Sequence, residues 1–384
     1  PLIIAGGGVH YAAACDALAE FAKARGIPVA ETQAGKGALA DSHPCAVGAI
    51  GVTGSAAANQ LAEQADVILA VGTRLQDFTT GSRALFEGSE KMLIALNVGR
   101  FDSLKHQALP LSCDALVGLG QLDAALGEWR GSNEWREQTG TLKREWAEIV
   151  RRVTADQGLA LPTDAQVIGA VNRQAGDDTT VVCAAGGLPG ELHKLWQCSG
   201  PGSYHVEYGF SCMGYEIAGG LGVKMAKPDN EVVVMVGDGS YLMHNSELAT
   251  SVMLGHKLIV VVLDNRGYGC INRLQQATGG AGFNNLLQDC RTVEAGAPKT
   301  DFAAHAKALG CESESVSGIA ELEQALVRAR SATSTYVIAL DTDPLPSTQE
   351  GGAWWDVAVP EVSEREAVNK AYQGYREAKQ RQCH

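Results

Sequence analysis

The sequence predicts an α/β protein of two doubly wound parallel-sheet domains. Three observations carry that expectation. The apolar runs are short and hydrophobic throughout rather than alternating, as strands of a parallel sheet covered on both faces require. Leu2–Ala5, Val67–Val71, Val232–Val236 and Leu258–Leu263 are examples. Stretches with apolar residues at helical spacing lie between them. Glycine is the composition outlier, 45 of 384 residues, and it clusters after apolar runs, where a strand-to-helix turn needs backbone freedom.

Composition narrows the function classes. At about 150 residues per domain, 384 residues suit two or three domains with buried cores. Apolar residues make up 45% and charged ones 20%, which excludes a disordered chain and a coiled coil. The 31 basic and 44 acidic side chains give a net charge of −13 spread along the chain, so nucleic acid is disfavoured as a partner. No apolar run approaches the length of a bilayer span. Leu2 already reads as strand, so no signal peptide is expected. The ten cysteines are scattered with no C-x-x-C spacing, which suggests neither a zinc site nor a disulfide frame but the reduced thiols of a cytoplasmic enzyme.

The elements follow in order. Leu2–Ala5 reads as a strand, Gly6-Gly7-Gly8 as a turn, and the stretch to about Arg25 as a helix, with Ala13, Ala17, Leu18, Phe21 and Ala22 at helical spacing. Further strands are expected at Val67–Val71 and Met92–Val98, making residues 1–131 one α/β domain. The three glycines invite a dinucleotide reading, but G-x-G-x-x-G would place glycine at position 11, where Tyr11 stands. A turn that uses glycine for geometry is the better reading. Residues 132–160 form a connecting segment, with Glu, Lys, Arg and Trp at helical spacing from Glu134 to Val153 suggesting a solvated helix. Thr163-Asp164-Ala165-Gln166 has the capping-box form and should start a new helix. Residues 161–345 then make a second α/β domain, with strands near Thr180–Ala184, Glu231–Val236, Leu258–Asp264 and Tyr336–Leu340. Residues 346–384 are a carboxyl-terminal extension with Trp354-Trp355 and a polar helix.

The second domain carries the chemistry. Val232–Val236 runs into Gly237-Asp238-Gly239-Ser240, and Leu258–Leu263 into Asp264-Asn265-Arg266-Gly267, with one helical stretch between. Right-handed crossover makes such strands parallel and puts both carboxyl ends on one edge of the sheet. Asp238 and Asn265 can then converge. A carboxylate, an amide oxygen and a backbone carbonyl are oxygen ligands suited to Mg²⁺, which needs phosphate and water oxygens to complete its octahedron. Gly237 and Gly239 admit close approach of a phosphate, and a helix expected to start near Tyr241 would add its positive end. Either motif alone fits an ordinary turn; together, each closing an apolar run, they point to metal–diphosphate binding.

With G-D-G followed by Asn265, the chain resembles the thiamine diphosphate enzymes, with Asp264 where the family usually has its first Asn. Residues 1–131 resemble the family's central domain and 161–343 its diphosphate-binding domain. The resemblance implies thiamine diphosphate and Mg²⁺ as cofactors, the metal held by Asp238, Asn265 and the carbonyl of Gly267. It assigns Ser211, Cys212 and Met213 to the stretch that holds the aminopyrimidine, Met213 being the apolar prop that bends the cofactor. Gly186, Gly187 and His193 would reach the diphosphate, with Gly237, Gly239 and Ser240 beside it. Glu31-Thr32-Gln33-Ala34-Gly35-Lys36-Gly37, the stretch Arg266–Gln275, Phe283-Asn284-Asn285 and Trp354-Trp355-Asp356-Val357 resemble the family's cyclic-diketone hydrolases of myo-inositol breakdown more than its acetolactate synthases. That branch implies opening of trihydroxycyclohexane-1,2-dione to 5-deoxyglucuronate, with Asn272 and Arg273 expected against the hydroxylated ring. An acetolactate synthase-like lyase and a non-catalytic diphosphate-binding fragment remain the alternatives. The family's activating glutamate lies in an amino-terminal pyrimidine domain, and no glutamate here matches its motif. The chain is therefore expected to be the central and carboxyl-terminal part of such an enzyme, completed by a pyrimidine domain of the same or another subunit in a homodimer or homotetramer. No catalytic residue is assigned within it.

Overall fold

The computed structural model describes residues 1–86, 91–290, 299–380 and 382. Its first sheet contains β1 (Leu2–Ala5), β2 (Val29–Glu31), β3 (Ala46–Ala49), β4 (Val67–Val71), β5 (Met92–Leu96) and β6 (Leu109–Leu111). The second contains β7 (Thr179–Cys183), β8 (Tyr204–Val206), β9 (Glu231–Gly237), β10 (Ile259–Asp264), β11 (Glu312–Val316) and β12 (Tyr336–Asp341). The strand orders are β3-β2-β1-β4-β5-β6 and β11-β12-β10-β9-β7-β8, and every strand pair is parallel. Two doubly wound α/β domains are thus present.

The uniform hydrophobicity of the central strands follows from double coverage. In the second sheet Val181, Val233, Met235, Val261 and Leu263 face one core, shared with Ile168, Leu192 and Leu322 of the helices on that side. Their chain neighbours Val182, Val232, Val234, Val260 and Val262 face the other, shared with Ile217, Leu221, Tyr241 and Phe302. A side chain of this kind contributes about 1.5–3 kcal/mol on burial, so the pattern fixes the register of each strand.

The glycine turn after β1 serves geometry. A Cβ on Gly8 would lie 2.6 Å from the Cα of Gly72, and one on Gly6 would lie 2.5 Å from its carbonyl oxygen. The two loops can meet only as glycine, while Tyr11 points outward at 94% exposure.

The capping box at Thr163 forms: its side chain accepts the Gln166 N–H, and the Gln166 side chain accepts the Thr163 N–H at 2.9 Å. The connecting helix, Asn133–Val153, differs from the solvated helix the composition suggested. Trp146 and Val150 are buried in the second domain's core, Trp135 and Leu142 pack against the first domain's, and the Trp135 indole donates to the Pro1 carbonyl at 2.8 Å. Its charged residues cover the opposite face, so one amphipathic helix staples both cores. The extension also returns to the body: Gly352 N–H donates to Gly54 O at 2.8 Å and the Trp355 indole to Asp77 Oδ2 at 3.0 Å. Among the described residues no helix is long and apolar enough to cross a membrane.

Candidate active site

In the second sheet β8 lies on one side of β7 and β9 on the other, so the strand order reverses direction between β7 and β9. Loops leaving the carboxyl ends of strands diverge at such a point and open a crevice suited to ligands. The segments there are Ala184–Gly187 after β7 and Gly237–Ser240 after β9, with Asn265–Gly267 after the neighbouring β10.

These loops line one cleft of about 250 Å³, together with Ser211 and Met213. Asp238 and Gly267 touch: the Gly267 N–H donates to Asp238 Oδ2 at 2.9 Å. Gly267 has φ +148°, and a Cβ there would lie 2.3 Å from the Asn285 carbonyl oxygen, so the turn requires glycine. Asn265 Oδ1 is buried in the cleft wall with no partner among the described residues. The Asp238 carboxyl is pushed up to about 7 by burial, then by the charge of Asp264. An unpaired amide oxygen in the same cleft as a carboxylate that burial disfavours in its charged form is what a divalent cation would satisfy. Among the described residues no group of three or more His, Cys, Asp or Glu forms a metal cage. A cation held by one carboxylate, one amide and one carbonyl therefore needs oxygens from its ligand, which fits a diphosphate. Asp264 turns into its own loop, with Oδ1 accepting the Arg266 N–H at 2.9 Å.

Gly186, Gly187, Ser211, Met213, Gly237, Asp238, Gly239, Ser240, Asn265 and Gly267 share this cleft. A Cβ on Gly239 would sit 2.9 Å from the Tyr268 ring and 3.5 Å from Met213 Cε, so the floor is packed to the limit of glycine. Ser211 adopts φ +51°, a costly conformation for a non-glycine residue and one that marks functional loops. Cys212 between them is exposed. The short helix beyond β9 starts at Asp238 rather than near Tyr241, with Gly237 as its N-cap.

His193 stands outside the cleft, and its expected reach to a diphosphate is corrected. It is buried between the domains, Nδ1 bonded to Thr53 Oγ1 at 2.9 Å and Nε2 to Glu31 O at 3.0 Å. Burial, then the Lys36 charge, lowers its pKa to about 3, so the ring is neutral and both nitrogens are engaged. The surrounding stretch from Glu31 to Gly37 is a domain joint. Gln33 Nε2 donates to Pro189 O at 2.8 Å, and the Tyr204 hydroxyl donates to Gln33 Oε1 at 3.1 Å. Pro189 lies in helix Leu188–Leu195, which begins just after Gly187, so the joint fixes the diphosphate loop from behind.

One cleft residue, Asp164, was missed from the sequence, and Arg273, expected against the substrate ring, lines the cleft with it. Asp164, in the first turn of helix Asp164–Gln174, lines the cleft with its carboxyl pushed up to about 7 by burial, against the pull of Arg273. Arg273 lies over Gly187 and donates to Pro344 O at 2.8 Å. Asp164 is buried, and the capping-box pattern masked it as a helix-start residue. Asn272 is fully buried, outside the cleft, and its amide finds no partner among the described residues.

Residues 1–122 match the central domain of thiamine pyrophosphate enzymes, and residues 184–340 match their C-terminal TPP binding domain. The chain belongs to the thiamine pyrophosphate enzymes, and thiamine diphosphate is the cofactor of its C-terminal domain. It is 41% identical to the 3D-(3,5/4)-trihydroxycyclohexane-1,2-dione hydrolase of Geobacillus thermodenitrificans, over 98% of this chain and 63% of that protein. Proteins of the same name from Bacillus cereus (strain AH820) and Clostridium perfringens are 40% and 38% identical, over 97% of this chain and 62% of theirs. The chain thus spans just over three fifths of the length of these relatives.

Proposed function

We propose that this chain supplies the diphosphate- and metal-binding part of a thiamine diphosphate-dependent carbon–carbon hydrolase that opens trihydroxycyclohexane-1,2-dione to 5-deoxyglucuronate in myo-inositol breakdown. The observation that carries the cofactor half is that Asp238, bonded to Gly267, and Asn265, with its buried, unpaired Oδ1, line one cleft at the switch point of the second sheet. The substrate half is supported by the names of relatives about 40% identical over nearly all of this chain.

When bound, thiamine diphosphate supplies a nucleophilic carbon and an electron sink for breaking the bond between the two carbonyl carbons, and water supplies the carboxylate oxygen. The protein's share is binding and orientation. Asp238, Asn265 and the Gly267 carbonyl hold Mg²⁺ as an anchor for the diphosphate. Gly186, Gly187 and Gly237–Ser240 bring backbone against it, and Ser211 and Met213 face the remainder. Arg273, over Gly187, adds a positive charge beside that loop. The family's activating glutamate comes from a pyrimidine domain of the same or another subunit, in a cytoplasmic homodimer or homotetramer without nucleic acid or membrane partners.

The test is to incubate the complete enzyme, with thiamine diphosphate and Mg²⁺, with the cyclic diketone and separately with pyruvate. The expected result is 5-deoxyglucuronate from the first and no acetolactate from the second; the reverse overturns the proposal. The 384-residue chain alone is expected to bind the cofactor weakly and turn over little. Appreciable turnover by it would refute the assignment of the activating group to another domain.

A further inference from the structure

Glu216 lies in the first turn of helix Tyr215–Ala226 and is 1% exposed. Gly219 and Gly220, one turn further on, are buried as well, so the carboxylate stands on a helix face turned to the interior. Its two oxygens collect donors from three separate segments. Oε1 accepts the Ala185 N–H at 3.2 Å and the Ser240 hydroxyl at 2.8 Å. Oε2 accepts the Gly214 N–H at 3.0 Å and lies 2.9 Å from the same hydroxyl. Ser240 Oγ in turn accepts from Gly214 N–H at 2.9 Å, closing the network.

Each of these donors belongs to a wall of the cleft. Ala185 precedes Gly186 and Gly187 after β7, Gly214 follows Met213, and Ser240 lies in the first turn of the short helix that begins at Asp238. Gly214 has φ +92°, and a Cβ there would meet His244 Cβ at 2.9 Å, so the turn that aims its N–H inward admits only glycine. We propose that Glu216 is a positioning residue that holds the three segments at their binding-ready spacing before any cofactor arrives. The inference rests on the reading that this cleft takes the magnesium-diphosphate.

The donor pattern makes the carboxylate specific. Every group facing it donates, so a glutamine would set its own NH₂ against the Ala185 or the Gly214 N–H, and an aspartate is one methylene too short to span all three. Preformed loops save the ligand the cost of ordering them, so the loss should appear in affinity and in local opening together.

The test compares the 384-residue wild type with Glu216→Gln and Ser240→Ala by hydrogen–deuterium exchange, alongside calorimetric titration with thiamine diphosphate and Mg²⁺. Expected for Glu216→Gln is exchange about 10- to 100-fold faster in residues 184–187, 211–214 and 238–240, with β4 and β5 unchanged, and affinity lower by about tenfold or more. Ser240→Ala, which removes one donor and leaves the carboxylate, should show the same pattern more weakly, and it decides the matter if Glu216→Gln does not fold. Unchanged exchange in the three segments, or a rise spread evenly over both domains, overturns the role of Glu216. Should the wild type take up no cofactor even at millimolar ligand, the proposed function fails instead, and the exchange pattern still decides for or against the pin.

Discussion

Replacing Asn265 by alanine separates what the cleft does for the fold from what it does for a ligand. Asn265 Oδ1 is buried without a partner among the described residues, and an unsatisfied buried acceptor costs about 1–3 kcal/mol. Alanine removes that penalty and loses the packing of the amide, about 1 kcal/mol. The ligand-free variant should therefore be as stable as the wild type or up to about 2 kcal/mol more so, a rise of no more than roughly 8 °C in melting temperature. With thiamine diphosphate and Mg²⁺ the order reverses. Ligand at a hundred times its dissociation constant stabilises the wild type by about 2.7 kcal/mol. Losing one metal ligand should weaken affinity by at least about 10- to 100-fold, which cuts that gain to about 0.4–1.4 kcal/mol or less. Scanning calorimetry on both proteins, with and without cofactor and metal, measures all four quantities. An alanine variant that melts several degrees lower without ligand would show that the amide is an ordinary structural group. A variant that gains as much as the wild type on adding cofactor would remove Asn265 from the metal site.

Asp164 predicts a pH dependence. Its folded pKa of about 7 lies above the ordinary 3.8 because of burial, so the folded state holds a proton that the unfolded state releases between those values. Stability should fall as pH rises from about 4 to 7, by at most about 4 kcal/mol from this residue. Denaturation midpoints of Asp164→Asn across that range should show a flatter profile, and an identical slope would be evidence against a buried, protonated Asp164. Trp146→Ala should cost about 3–5 kcal/mol in chemical denaturation if the connecting helix staples the cores; a cost under about 1 kcal/mol would return it to a solvated linker. Gly267→Ala forces a Cβ to 2.3 Å from the Asn285 oxygen, and calorimetric titration should show at least about tenfold weaker cofactor binding. Unchanged affinity would mean that the turn and its bond to Asp238 play no part in the site.

The convergence of Asp238 and Asn265 was legible because it follows from connectivity. Two strands whose faces are both buried must read as continuous apolar runs, and a single crossover fixes which ends share an edge. What failed to show were the short strands. β6 is Leu-Pro-Leu at a sheet edge, where a missing N–H costs nothing, and β11 is Glu-Ser-Glu-Ser-Val at another edge, too polar to be distinguished from a loop. β2 is three residues long and takes its structure from the neighbours it pairs with. His193 was misplaced for a related reason. Its place just after Gly186-Gly187 suggested a reach to the diphosphate, but sequence spacing does not show that the helix carrying it, Leu188–Leu195, turns the ring toward Glu31 and Thr53. Glu216 was readable only as a charge in a glycine-rich helix, and its meaning needed three distant segments to be seen in one place.

The two domains share an architecture and differ in what they leave unsatisfied. At the switch point of the first sheet, between β1 and β4, the Gly8 N–H donates to Gly72 O at 2.9 Å and the Gly6 N–H to Val71 O at 2.8 Å. Glycine there brings two loops into contact, and its polar backbone is used in joining them. At the switch point of the second sheet, the Gly267 N–H reaches a carboxylate that burial resists charging, and an amide oxygen in the same cleft has no donor at all among the described residues. Folding gains nothing from that arrangement, since a buried unpaired acceptor and a crowded carboxylate both oppose stability. Such groups persist where a ligand compensates them. The difference between scaffold and site in this chain therefore lies less in the glycines, which both loops have, than in a buried carboxylate and an unpaired amide oxygen that line one cleft and that a cation and its diphosphate would satisfy.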